Sequence, residues 1–112
     1  MPEQYIRVVS LWIHRGQEAA FEAFERDASR IMARHGGRID AAIRLTDGDA
    51  TGDESPYELH TVSFPDRDSA DSYRADPETT GSVERRAKII AKTVIKADRM
   101  ARTNAKGPEN FA

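Results

Sequence analysis

The stretch YIRVVSLWI, Tyr5 to Ile13, decides the fold. Side chains of a strand alternate between its faces, so Ile6, Val8 and Trp12 fall on one side and Val9, Leu11 and Ile13 on the other. A strand that is apolar on both faces belongs in the middle of a sheet with a covering layer on each side. The chain's own helices can cover one face. A second copy of the chain is expected on the other, enclosing a small cavity.

Downstream, Phe21, Phe24, Ala28, Ile31 and His35 recur at steps of three and four, which predicts a helix over 17–35 that Gly36-Gly37 ends. Glu18 and Glu22 suit its start, Arg34 and His35 its end. Residues 38–45 alternate again, with Ile39, Ala41, Ile43 and Leu45 on one face and Arg38, Asp40, Ala42 and Arg44 on the other, a half-buried strand. The polar loop TDGDATGDESP, 46–56, then leads to a third strand over 57–64, and the two strands form a long-looped hairpin. Pro65-Asp66 opens a short helix through Ala75, with Asp66 as N-cap and Ala70 and Tyr73 turned inward. The Asp76-Pro77 pair stops it, because the residue before proline avoids helical dihedrals. Val83, Arg86, Ala87 and Ile90 predict a further helical stretch, and Thr93, Val94 and Ile95 a last strand over 92–97.

The order strand, helix, strand, strand, helix, strand is the split βαβ pattern. It predicts an α+β, ferredoxin-like βαββαβ fold: a four-stranded antiparallel sheet with its helices on one face, paired into a dimeric α+β barrel. At 112 residues there is room for one core, here assigned to residues 1–98. Residues 99–112 read as a polar tail, expected to dock on a partner subunit through Phe111.

The hydrophobic fraction of 38% beside a charged fraction of 32% makes a lean core, which association would supplement. A net charge of -2 with 7% aromatics gives no basic field for a phosphate backbone, so no nucleic-acid partner is expected. The absence of cysteine excludes disulfides, thiolate metal sites and a cysteine nucleophile. The opening residues lack the basic and apolar regions of a signal peptide, and no apolar run reaches membrane-span length. A cytoplasmic protein with no membrane contact is expected. Without a glycine-rich phosphate cradle, a zinc-spaced His and Glu pair or a nucleophile elbow, no cofactor is expected.

Two blocks carry a family resemblance: RHGGR at Arg34 to Arg38, and ELHTVSFPDRDSADSYRADPE from Glu58 to Glu78. Over most of residues 4–98 the chain resembles the dimeric α+β barrel superfamily, and within it a family of small bacterial domains of unknown function. The antibiotic-biosynthesis monooxygenases belong to the same superfamily. The resemblance implies a homodimer with sheets packed face to face and, in each protomer, a cavity between sheet and helices. Two positions depart from that family's pattern: Thr79 stands where an aromatic is usual, and His14-Arg15 replaces an acidic turn.

His60 lies inside the third strand between Leu59 and Thr61, where a buried imidazole needs a partner. It is the candidate for proton transfer, whereas His35 reads as a helix cap and His14 as a solvated turn residue. Trp12 with Ser10 on the same strand face could wall a cavity, the indole offering a broad apolar surface and the serine leaving room beside it. Arg38 and Arg44 are candidates to hold a carboxylate or oxyanion, or to pair across a subunit seam; Arg85 and Arg86 carry the same alternatives. Asp47, Asp49, Thr51, Gly52, Ser55 and Glu58 match the ligand spacing of a calcium loop. Flanking strands, Pro56 and Glu54 at the usual apolar position argue against it, and no metal is assigned.

Two functional classes stay open. One is a non-catalytic homodimer that binds a small organic molecule. The other is a cofactor-independent monooxygenase or isomerase acting on a small aromatic or unsaturated substrate held against Trp12, with His60 moving a proton and Arg38 or Arg44 holding negative charge. An enclosed pocket containing His60 and at least one arginine favours the second, and a cavity filled by side chains favours the first.

Overall fold

A computed structural model describes residues 3–45 and 55–102 of the chain. Its elements run β1 Glu3–Ile13, α1 Glu18–Arg34, β2 Arg38–Arg44, β3 Glu58–Phe64, α2 Arg67–Ala75, α3 Pro77–Thr80, α4 Val83–Ile89 and β4 Ile90–Arg102. The four strands form one antiparallel sheet in the order β2-β3-β1-β4, so the doubly apolar β1 is central as its sequence requires. Each helical connection crosses over one strand. This is the ferredoxin-like α+β arrangement.

The pairing of β1 with β3 assigns the faces. Tyr5, Arg7, Val9 and Leu11 stand opposite Phe64, Val62, His60 and Glu58 on the side the helices cover. Ile6, Val8 and Ser10 stand opposite Ser63, Thr61 and Leu59 on the outer side, which also carries Trp12. The core divides into two clusters on the helix side. One gathers Leu11, Ile13, Phe21, Phe24, Tyr57, Ile89 and Ile90. The other gathers Tyr5, Met32, Val62, Phe64 and Ala70. Between them α1 presents Ala28, too small to span the gap, and a cavity is left there.

Local signals explain the element ends. Helix α1 buries the stripe Phe21, Phe24, Ile31 and Met32, and stops at His35, after which Gly36 takes φ +76°. Gly37 lets the chain pass against β3: a Cβ there would overlap the Phe64 ring and approach Met32 Cγ to 2.7 Å. Asp66 caps α2 by accepting a hydrogen bond from Ser69 N at 2.8 Å. Asp76 is extended before Pro77 and caps α3 through Glu78 N at 2.9 Å.

Two sequence expectations change. The face shared by Arg38, Asp40 and Arg44 does not exist, because Ile39 pairs with Val62 and Ala41 with Thr61, leaving Asp40 as the extra residue of a bulge. Arg38 therefore stands on the outer face opposite Ser63, and Arg44 on the helix face opposite Glu58. The last strand is longer than 92–97, because it pairs with β1 from Glu3 to Ile13, and irregularities near Ala91 and Lys96 break the alternation that would reveal it. The remainder of the tail, Phe111 included, lies outside the described residues.

Candidate functional site

The cavity between the sheet and the helices has a volume of about 390 Å³. Its apolar wall comes from Val9 and Leu11 of β1, Val62 of β3, Phe24 and Ile31 of α1 and Ile90 of β4. Polar groups enter from several directions: His60 from β3, Glu25 from α1, Tyr73 from α2, Thr79 from α3 and Arg86 from α4. Mostly apolar walls with a few convergent polar groups are the usual make-up of a small-molecule pocket.

His60 is 4% exposed, and its position next to Val62 on the same face of β3 aims the ring under α1. Its Nε2 lies 2.8 Å from Glu58 Oε1 and its Nδ1 3.6 Å from Glu25 Oε1. With Glu58 accepting from Nε2–H, the neutral ring carries its lone pair on Nδ1, on the side of Glu25. The other oxygen of Glu58 is held by Arg44, which donates from Nε at 3.1 Å and lies 3.0 Å away through Nη2, while Glu22 lies 3.5 Å from the same guanidinium. The Arg44 guanidinium also stacks on Tyr57, 4.2 Å from the ring centroid. A row of ionisable side chains thus runs from the exposed Glu22 through Arg44 and Glu58 to His60 and Glu25 at the cavity wall. A shallower cleft of about 260 Å³ between α1 and β2 follows it, and His60 and Glu25 border both spaces.

Burial pushes the Glu25 carboxyl above the ordinary carboxylate range, with the His60 ring pulling the other way and Glu58 adding to the rise. Burial also raises the Tyr73 phenol, and Glu25 adds to that rise while Arg86 and Arg7 oppose it. Glu25, Tyr73, Arg7 and Arg86 all line the cavity. Arg7 is lowered by its own burial and by Arg74, with Asp71 and Tyr73 opposing. Thr79 Oγ1 is buried and makes no hydrogen bond among the described residues.

Of the candidate residues singled out in the sequence, His60, Arg85 and Arg86 line the cavity. Arg44 reaches it indirectly through Glu58. Ser10 and Trp12, 7% and 9% exposed, lie on the outer face, where Lys92 Nζ sits 4.6 Å from the indole centroid. Arg38 is exposed and donates to its neighbour Asp40 at 2.6 Å. His35 closes α1 and its Nε2 lies 2.7 Å from the buried Asp76, near which Arg34 also lies; this ties α1 to α3. The calcium-loop spacing falls largely outside the described residues, and its last member, Glu58, is engaged with His60 and Arg44. Among the described residues no group of three or more His, Cys, Asp or Glu is arranged to hold a metal ion.

Sequence reasoning missed Glu25. Its signal is positional: it sits in the buried stripe of α1, one turn after Phe21 and three residues before Ala28, where a carboxylate faces the sheet. Arg7 was hidden the same way, between Tyr5 and Val9 on the helix side of β1.

No family model matches the chain, and neither does any curated protein. Solved structures match in fold. A point mutant of SnoaB, a cofactor-independent oxygenase from Streptomyces nogalater, is 15% identical with a TM-score of 0.64, over 90% of this chain and 98% of that one. A DABB-family protein with a ferredoxin-like fold from Mesorhizobium loti is 15% identical with a TM-score of 0.61, over 84% and 93% of the two chains. A protein of unknown function from Rhodopseudomonas palustris is 15% identical with a TM-score of 0.67, over 86% and 81%. The likeness at such identities is one of fold, the ferredoxin-like type shared by antibiotic-biosynthesis monooxygenase and DABB proteins.

Proposed function

We propose that the protein is a homodimer whose protomers each bind a small, largely apolar organic molecule in the cavity between sheet and helices. The observation that carries this reading is the cavity itself: about 390 Å³, within the ~300–1,000 Å³ typical of small-molecule sites, walled by Val9, Val62 and Ile90 and bordered by a buried imidazole. Packing alone would fill such a gap with side chains, since each unfilled methyl-sized void costs about 1 kcal/mol. Calorimetric titration with 1-naphthylacetamide tests it. Saturable binding at one molecule per protomer, lost in Ala28→Trp because the indole occupies the space, supports the reading; equal binding by that variant refutes it.

The homodimer rests on the outer face of the sheet, where Ile6, Val8 and Leu59 are partly exposed and Ile43 is 53% exposed. In this reading Ser10 and Trp12 belong to the subunit seam, and Arg38 pairs across it.

One observation favours a catalytic second reading, a cofactor-independent monooxygenase or isomerase acting on a small aromatic or unsaturated substrate. His60 has a carboxylate on each ring nitrogen's side, Glu58 at 2.8 Å and Glu25 at 3.6 Å. Glu58 orients the ring and stabilises the imidazolium that forms when Nδ1 takes a substrate proton, and Arg44 holds Glu58 in place. SnoaB, similar in fold, is itself a cofactor-independent oxygenase. A panel of enolisable aromatic compounds, followed by solvent-deuterium incorporation and dioxygen uptake, is expected to give a signal that His60→Gln abolishes. An unaltered rate in that variant removes His60 as the proton carrier.

A further inference from the structure

We propose that the molecule held in the cavity carries a carboxylate, and that Arg86 is its seat. This rests on the small-molecule reading above and names the chemical class of the ligand.

The arginines around the cavity are differently satisfied. Arg30 pairs with Glu78 at 3.2 Å, Arg85 with Asp27 at 2.8 Å and Arg74 with Asp71 at 2.6 Å, all at the exposed rim. Arg86 is half-buried and lines the cavity, yet it has no carboxylate within ion-pair distance among the described residues. Its one hydrogen bond there runs from Nη2 to Thr93 Oγ1 of β4 at 2.7 Å. That bond fixes the guanidinium between α4 and β4 and leaves most of its five N–H donors for another acceptor. A guanidinium withdrawn from water without a counter-charge is costly, and a planar carboxylate is the group its fork matches best.

The surroundings suit an anion with an apolar body. Glu25 lines the same cavity, but no ion pair joins it to Arg86 among the described residues, and burial raises its carboxyl. Tyr73 and Thr79 also line the cavity, and Thr79 Oγ1 is buried without a partner among the described residues. Val9, Val62 and Ile90 then face the ligand's apolar part.

The test compares two probes of the same shape, 1-naphthylacetate and its neutral amide 1-naphthylacetamide, by calorimetric titration of the full chain. Wild type is expected to bind the acetate at least tenfold more tightly than the amide. Arg86→Gln should reduce acetate affinity at least tenfold and amide affinity less than threefold, while Arg86→Lys, which keeps the charge, should retain part of the preference. Equal affinities in wild type, or an undiminished preference in a folded Arg86→Gln protein, overturns the carboxylate seat and leaves the cavity reading standing. Failure of both probes to bind overturns both.

Discussion

Glu58 and His60 stand two residues apart on the same face of β3, with Glu58 Oε1 2.8 Å from His60 Nε2, and both side chains are buried. The pair is an internal hydrogen bond that no helix or loop had to supply, because strand periodicity alone brings i and i+2 to one side. Arg44, opposite Glu58 on β2, completes it.

Removing the carboxylate leaves the His60 N–H and part of the Arg44 fork without an acceptor. Glu58→Ala is expected to cost about 1–3 kcal/mol of folding stability in urea denaturation. Combined with His60→Ala it should show a coupling of about 0.5–3 kcal/mol, since the two groups share one bond. Strict additivity would mean that the bond contributes nothing.

Glu25 gives the pH dependence a definite sign. Burial raises its carboxyl in the folded protein above the ordinary value of about 4.3. Between that ordinary value and the raised one the folded chain holds more protons than the unfolded chain, so this contribution to stability is full in acid and is lost as pH rises. Glu25→Gln lacks the loss. Its melting temperature relative to wild type should therefore climb from about pH 4 upward until the raised value is passed. A difference that is flat or falls with pH would contradict the burial argument.

Gly37 sits where α1 hands the chain to β2 against the Phe64 ring. Gly37→Ala must displace that ring or the Met32 side chain, and overpacking of this kind costs about 1–3 kcal/mol. Urea denaturation reads the loss directly. A change within about 0.5 kcal/mol would mean that the contact relaxes freely.

Ile43 is 53% exposed on the outer face of the sheet. Light scattering at micromolar protein should report a dimer for wild type and a shift toward monomer for Ile43→Glu. A stable wild-type monomer would remove the dimer from the account.

Much of the fold was legible because its signals were strong and local. The two apolar faces of Tyr5 to Ile13 set β1 at the centre, the stripe of α1 gave its length, and Asp66 and Asp76-Pro77 marked the ends of α2. The bulge at Asp40 was not legible, since Ala41 and Ala42 are identical and a slip between them leaves no mark on the hydrophobic pattern. In the site, His60 was visible as a polar ring in an apolar strand. The side on which Trp12 lies was not legible, because alternation separates the two faces of β1 but does not say which one the helices take, and they take the face of Tyr5, Leu11 and Ile13. Glu25 escaped because glutamate is ordinary on a helix, and its depth depends on which face turns inward.

The most direct measurement of the central claim is an NMR titration of the protein with 1-naphthylacetamide, read at side chains on both faces of the sheet. Saturable shifts are expected at Val9, His60, Val62 and Ile90, with no shift at the Trp12 indole and loss of all of them in Ala28→Trp. Shifts confined to Ile6, Trp12 and Leu59, unchanged by Ala28→Trp, would put the ligand on the outer face and contradict it.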